Sequence, residues 1–408
     1  MMMKFLIRVG YYLLFLYNSI LMGAGYYNPN SSIDASALCS ANIANVHKAD
    51  ASYYNPANMV YSSKNLHEIE VSLTYISLNP IYYDSNDNIY HIHSKPYTTF
   101  VPSFHYVSSQ LTSQGLRVGF SIVSPAGLSR EWNEFPATVT AKKYQLQTLE
   151  FNPTIAIPVT PHISFGFGLR YMKARGKAAL DGSMLGANAF TLSVNGDANA
   201  FGYNVALSYN NGSWKIATTY RSQIDLDLQG SADAVLGTTP FVSNVSLLTP
   251  VPANFIIAVA YSFDNVITLE GVYHQTMWSA VKETNFEFDN PIVEASLGQP
   301  QKKLWHDAES YRVGLTVETD DITYMTGFAY GLNAADDAYV TFSSPESDAY
   351  AFSLGGRYHF SDKVDFGIAG LYTKHKNRTV IQSSPLGVQG TFSNKGAFTV
   401  TFGSNIKF

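Results

Sequence analysis

Residues 397–408, AFTVTFGSNIKF, change character at every second position. Phe398, Val400, Phe402, Ile406 and Phe408 take one face, and Ala397, Thr399, Thr401, Gly403, Asn405 and Lys407 take the other. A period of two is the signature of a β-strand. Here one side is large and apolar and the other is small or polar. The pattern returns in Ile163, Phe165, Phe167, Leu169 and Tyr171, in Phe201, Tyr203, Val205, Leu207 and Tyr209, and in Tyr350, Phe352, Leu354, Tyr358 and Phe360. About fourteen such segments are expected, at 67–77, 98–107, 115–123, 145–158, 162–178, 198–210, 213–226, 253–263, 266–277, 308–318, 322–330, 349–360, 363–375 and 395–408.

The connections between them alternate. Short turns at Thr160-Pro161, Asn211-Gly212, Asp264-Asn265, Asp320-Asp321 and Asp362-Lys363 alternate with long stretches at 78–97, 124–144, 179–197, 227–252, 278–307, 331–348 and 376–394. Tight turns on one rim and long loops on the other are the layout of an outer-membrane barrel. The expected fold is therefore all-β, a transmembrane antiparallel barrel in which greasy side chains meet lipid. Composition agrees. Charged residues are 14% and aromatics 14%, yet mean hydropathy is only -0.04, as many half-buried surfaces require. A soluble sandwich would turn its apolar face inward and carry denser charge outside. Tyr171, Tyr209, Tyr220, Tyr261 and Tyr330, at strand ends, suit interfacial girdles.

The amino terminus carries Lys4 and Arg8, an apolar run from Val9 to Met22, then Gly23, Ala24 and Gly25. This reads as a secretory signal over 1–23. No later run approaches the ~18 apolar residues of a spanning helix. One cysteine, Cys39, excludes an internal disulfide. A net charge of -5 gives no basic balance for nucleic acid. The expected place is the outer membrane of a bacterium, with outer-membrane lipid and lipopolysaccharide as neighbours. The C-terminal Phe408 is expected to address the barrel-assembly machinery.

Between signal and first strand lies a segment of about forty residues, 24–63. It is rich in Ala, Ser and Asn and cannot form a core alone. It is expected to pack as a plug inside a barrel of 64–408, because irregular backbone at membrane depth is tolerated only inside protein. Asn55-Pro56 would end the plug and turn the chain into the first strand. Inward polar residues Glu68, Glu70, Arg117, Arg170, Lys215, Arg221 and Arg357 are expected to hold the plug or to pair across the bore.

Several stretches now resemble one family. AGYY at Ala24, DASYYNPANM around Asn55, Pro56 and Ala57, SPAGLSREW at Ser124, YMKARGKA at Tyr171, YRSQIDLDLQG at Tyr220 and WHDAESYRVGL at Trp305 occur in the order of the FadL family. That family comprises outer-membrane transporters of long-chain fatty acids and channels for aromatic hydrocarbons. The resemblance implies a fourteen-stranded barrel with an amino-terminal hatch. It implies passive uptake of hydrophobic molecules, with no enzyme activity, cofactor or metal. Ligands would rest in an apolar pocket and leave sideways, through a gap made by a kink in the third strand. Tyr26 matches the hatch aromatic at the pocket. Pro125 and Gly127 match the kink, because proline cannot donate to a ladder and glycine can take unusual backbone angles. The related fatty-acid binder carries basic residues near its pocket. On the fifth strand, Lys173, Arg175 and Lys177 fall on the outward face instead, where lipopolysaccharide is the expected neighbour. His306 and Arg312 share parity on the tenth strand, so both are expected in the lumen as head-group partners. Aromatic-hydrocarbon transport and a porin for small polar solutes are the alternative functions. No G-x-S-x-G or H-E-x-x-H motif supports an enzyme.

Overall fold

The computed structural model of the chain describes residues 25–264, 266–381 and 388–408. The expected signal segment lies outside these residues. Fourteen antiparallel strands form one closed wall. They are β1 (Glu68–Leu78), β2 (Tyr97–Val107), β3 (Arg117–Val123, resuming at Gly127–Glu131), β4 (Lys143–Pro158), β5 (Ile163–Asp181), β6 (Phe190–Asn210), β7 (Trp214–Arg221 and Ile224–Leu236), β8 (Thr239–Val251 and Asn254–Phe263), β9 (Ile267–Thr276), β10 (Ala308–Glu318), β11 (Ile322–Gly331), β12 (Ala349–Ser361), β13 (Val364–His375) and β14 (Gly396–Lys407). Closure comes from β1 on β14, in register from Glu68↔Lys407 to Leu78↔Ala397. The last residue joins this seam. Phe408 exchanges backbone hydrogen bonds with His67, and its ring stacks on the imidazole at 5.4 Å.

Alternation sorts the side chains as the strand pattern requires. Phe165, Leu207, Ile257, Phe352, Ile368 and Phe402 are exposed on the outside, while Ser164, Ala206, Ala258, Ser353, Ala369 and Thr401 are buried inside. Closure of β14 on β1 leaves no free terminal strand, so over most of the wall backbone groups pair without water.

The tall side of the wall departs from expectation. Residues 179–197 and 227–252 were expected as loops, yet most of them are strand. The β5–β6 ladder continues to Asp181↔Thr191, and the β7–β8 ladder to Leu236↔Thr239. Above the lipid the outward face meets water. It is made of Asp225, Asp227, Gln229 and Asp233, while Leu226, Leu228, Ala232 and Ala234 face inward. The period of two persists there with its polarity reversed, so a search for greasy outward positions misses it. Over the opposite arc, short strands Tyr82–Ser85, His91–His93, Arg378–Val380 and Gly390–Ser393 form a small second sheet. Tyr83, Trp132, Phe342 and Phe392 form its buried core.

Residues 25–63 occupy the bore. They contain two short helices, α1 (Ile33–Ala37) and α2 (Ala51–Tyr54), and a 3-10 turn, Pro56–Tyr61. Ser32 caps α1 by accepting the Ala35 N–H at 3.1 Å. The wall holds this segment with charge. Arg357 of β12 donates to Asp34 of α1 at 2.5 Å, to Glu70 of β1 at 2.5 Å and to Asp365 of β13 at 2.7 Å. Arg221 donates to the Tyr53 carbonyl at 3.2 Å and also to Glu150, which Arg170 shares. Arg117 donates to the Ser62 carbonyl at 2.6 Å, and Lys215 reaches Asn45 at 2.5 Å. The inward polar residues thus divide as their parity implied, some holding the segment and some pairing across the bore.

Candidate functional site

The first described residues form a strap. Gly25 sits at φ +67, and a Cβ there would lie 2.1 Å from the Trp278 ring, so only glycine fits both the turn and the contact. The next residue, Tyr26, is buried against Trp278 with ring centres 4.9 Å apart. Its hydroxyl donates to the Pro250 carbonyl of β8. Beside it lies a cavity of about 120 Å³, lined by Tyr26, Leu128, Leu146, Leu228, Leu247 and Trp305 among others. These residues belong to one buried apolar cluster built from the strap, β3, β4, β7 and β8 and the segment 277–307. An apolar hollow of this order suits a hydrocarbon, since an engineered 150 Å³ apolar cavity stays dry and binds benzene.

Two cations line the hollow, the exposed Lys177 and the buried Lys303. Lys303 precedes β10, is buried, and donates to Thr341 at 2.8 Å. Burial pulls its ammonium down to about 8, against an opposing pull from Glu346. Sequence parity missed it because it lies outside any strand.

His306 is placed differently from expectation. It is exposed, with its imidazole 4.0 Å from Asp336, and does not line the cavity. The reason is local: β10 begins at Ala308, so strand parity does not extend back to residue 306. Arg312 does face the bore, but it lines a separate small space with Tyr27 and His274. Its guanidinium donates to His274 at 2.6 Å and to Ser310 at 3.1 Å, and its Nε–H has no partner among the described residues. The structure therefore does not bring Tyr26, His306 and Arg312 together. Asn55 donates to the Ile43 carbonyl and to Ser208 of β6, both at 2.8 Å. Pro56 and Ala57 begin the 3-10 turn that follows.

The third strand is broken on both sides. Its ladder to β2 has four register pairs, Phe104↔Ile122 to Val107↔Gly119. Contact resumes only at the isolated bridge Ser94↔Trp132. Among the described residues no ladder joins 96–103 to β3, which leaves a window in the wall. Toward β4, pairing jumps from Val123↔Glu150 to Gly127↔Gln147. Residues 124–126 turn inward and pair with the strap instead. Asn28 N–H donates to the Pro125 carbonyl at 2.7 Å, Gly127 N–H donates to the Tyr26 carbonyl at 2.8 Å, and Tyr27 bridges Ala126. Thr148 patches the remaining backbone, accepting the Ala126 N–H at 3.2 Å and donating to the Ala126 carbonyl. The break uses Pro125, whose nitrogen has no proton to leave unpaired. It does not use an unusual backbone angle at Gly127, which is not among the residues at positive φ. The same peptide thus carries the cavity's Tyr26 and seals the kink.

A family model described as "Outer membrane protein transport protein (OMPP1/FadL/TodX)" matches residues 16–408. The chain is 28% identical over 217 residues to a 47 kDa outer membrane protein of Pasteurella multocida (strain Pm70), a match spanning 48% of each. It is 23% identical over 359 residues to the long-chain fatty acid transport protein of an Escherichia coli O6:H1 strain, covering 76% of this chain and 77% of that one. Among solved structures, a Pseudomonas aeruginosa FadL homologue shares the fold at TM-score 0.78 and 15% identity, covering 94% of this chain and 99% of its own. The P. putida toluene transporter TodX does so at TM-score 0.73 and 16% identity, covering 92% and 98%.

Proposed function

Because the chain belongs to the outer membrane protein transport family (OMPP1/FadL/TodX), we propose that it admits hydrophobic molecules, long-chain fatty acids foremost, passively across the outer membrane. The observation that carries this reading is the apolar cavity closed by Tyr26, whose own peptide seals the break in β3. A ligand would enter from the loop side and rest among Leu128, Leu146, Leu228 and Trp305. Displacing Tyr26 would withdraw the strap from β3 and open the window toward β2. The segment 25–63, anchored by Asn55, Pro56 and Ala57, would act as the plug. Arg312, beside Tyr27, would meet a head group once the strap has moved. The chemistry is transfer between apolar environments, with no bond made or broken.

Equilibrium binding of radiolabelled oleate to detergent-purified protein tests the reading. Tyr26→Ala should weaken binding by about tenfold to a hundredfold, as loss of a buried ring contact of about 1.5–3 kcal/mol implies. Absence of saturable binding by the wild type, or equal binding by the variant, would overturn it.

A second reading has its own observation. The cavity near 120 Å³ matches a single ring better than a whole acyl chain, and TodX, a structural neighbour, is described as a toluene transporter. Lys303 separates the two by pH. Its ammonium is present below about 8 and lost as pH rises through that value. A carboxylate bound at the cavity favours the charged form. Oleate affinity should therefore hold below 8 and fall by up to about tenfold per pH unit above it. Toluene affinity should stay flat. Lys303→Met should remove the oleate dependence. A flat oleate profile would exclude Lys303 as head-group partner.

A further inference from the structure

Outside the bore, β4, β5 and β6 carry a boundary that the transport reading does not use. Register aligns Ile155, Phe167 and Val205 on one outward rung, and Phe151, Tyr171 and Phe201 on a higher one. The rings of the higher rung neighbour one another at 6.2 and 4.8 Å. Such an aromatic row marks the edge of the hydrocarbon in a barrel. One step above, about 7 Å along the strands, the rung is Leu149, Lys173 and Asn199. The next is Gln147, Arg175 and Asp197. The wall thus passes from apolar through aromatic to basic within three side-chain steps, and the basic step lies at head-group level.

A groove of about 190 Å³ lies at the same place, where β3 turns inward and leaves β4 uncovered. Ser124, Gln147, Leu149, Lys173, Arg175 and Asn199 line it. Arg175 donates to Asp197 at 2.8 Å, so the groove includes one carboxylate. The Lys173 ammonium lies 5.9 Å from the centre of the Tyr171 ring and, among the described residues, has no carboxylate partner. Lys177, one rung higher, lines the apolar cavity and not this groove.

The geometry points to this groove as a site for the anionic head of an amphiphile, with Lys173 and Arg175 as donors and the tail lying along Leu149 and Phe201. Basic side chains at the membrane surface attract anionic heads, and Arg and Lys bind phosphate and carboxylate through charge-assisted hydrogen bonds. Two sources supply this chemistry. One is a phosphate of an outer-leaflet lipid. The other is the carboxylate of a ligand leaving beside β3, and that source alone rests on the transport reading above.

Two arms separate them. In the first, full-length protein in detergent is offered lipid A or dephosphorylated lipid A, and retained lipid is counted by native mass spectrometry. The wild type should retain lipid A preferentially. The Lys173→Gln/Arg175→Gln variant should lose on the order of fivefold per side chain removed. Lys173→Arg should retain it, and Lys363→Gln on the opposite rim should match wild type. In the second arm, oleate and toluene uptake are followed in liposomes. Slower oleate release with unchanged toluene uptake in the double variant assigns the carboxylate. Loss of lipid A retention assigns the phosphate. If the double variant matches wild type in both arms, the proposal is overturned. If the wild type carries neither oleate nor toluene, the transport reading fails, and the lipid A arm still decides the groove.

Discussion

Replacing Arg357 with alanine is expected to turn a closed barrel into a conducting one. Arg357 is fully buried and meets Asp34, Glu70 and Asp365 at 2.5, 2.5 and 2.7 Å. Only Asp34 belongs to the segment in the bore; the other two are wall. Without the guanidinium, three carboxylates face one another across the base of α1, with Lys48, 3.4 Å from Asp365, as the nearest compensation. Removing one member of such a buried network costs about 3–5 kcal/mol, because the remaining charges stay uncompensated. Glu70 and Asp365 sit on β1 and β13, whose ladders to β14 are unbroken, so the cost falls on docking of the segment. A shift of that size moves the docked-to-undocked ratio by roughly two to three and a half powers of ten. In planar bilayers the wild type should show little steady conductance, and Arg357→Ala frequent large openings. Adding Asp34→Asn should restore part of the closure by removing one of the stranded charges. A large steady conductance in the wild type would favour the porin alternative. A silent Arg357→Ala would show that the ion network does not hold the plug.

Gly327→Val should produce the same openings by a different cause. A Cβ at Gly327 of β11 would lie 2.2 Å from the carbonyl carbon of Leu38, next to α1. The atoms it meets are backbone and the Cβ position is itself fixed by the strand, so no side chain can swing away. Overpacking of this kind costs typically 1–3 kcal/mol even where side chains adjust. Here the segment must lift away from the wall. Conductance should rise while the heat-resistant, unheated gel mobility of the barrel stays normal. Since Arg357 and Gly327 bear on the same short helix, the two substitutions together should fall short of additive. Unchanged conductance in Gly327→Val would mean that the segment can shift inside the bore without opening it.

What the sequence disclosed depended on where lipid imposes its rule. At membrane depth every second residue must be apolar, and the strands carrying Phe165, Phe352 or Phe402 were legible for that reason. Beyond the membrane that demand ends. The upper parts of β7 and β8 alternate just as regularly, but with Asp225, Asp227 and Asp233 outward. The site was legible in part. Tyr26 lies in the cavity wall because a glycine, an aromatic and a neighbouring tryptophan fix its place. His306 was misplaced because parity counts only within a strand. Lys303 carried no periodic signal, since a loop of 277–307 folds it inward. The pairing of Tyr26 to Asn28 with β3 is a backbone event, and side-chain patterns are silent about it.

On the proposed route, that pairing would limit how long the wall could stand open. The N–H of Gly127 and the carbonyl of Pro125 are satisfied by the strap, not by β2 or β4. Were the strap to withdraw, those inward-turned groups would lose their partners, at a cost of several kcal/mol each where no water replaces them. On the transport reading proposed above, an opened state would be the less stable one, and the peptide would return once a ligand had passed. Such a doorway would preserve the membrane's permeability barrier without any separate latch.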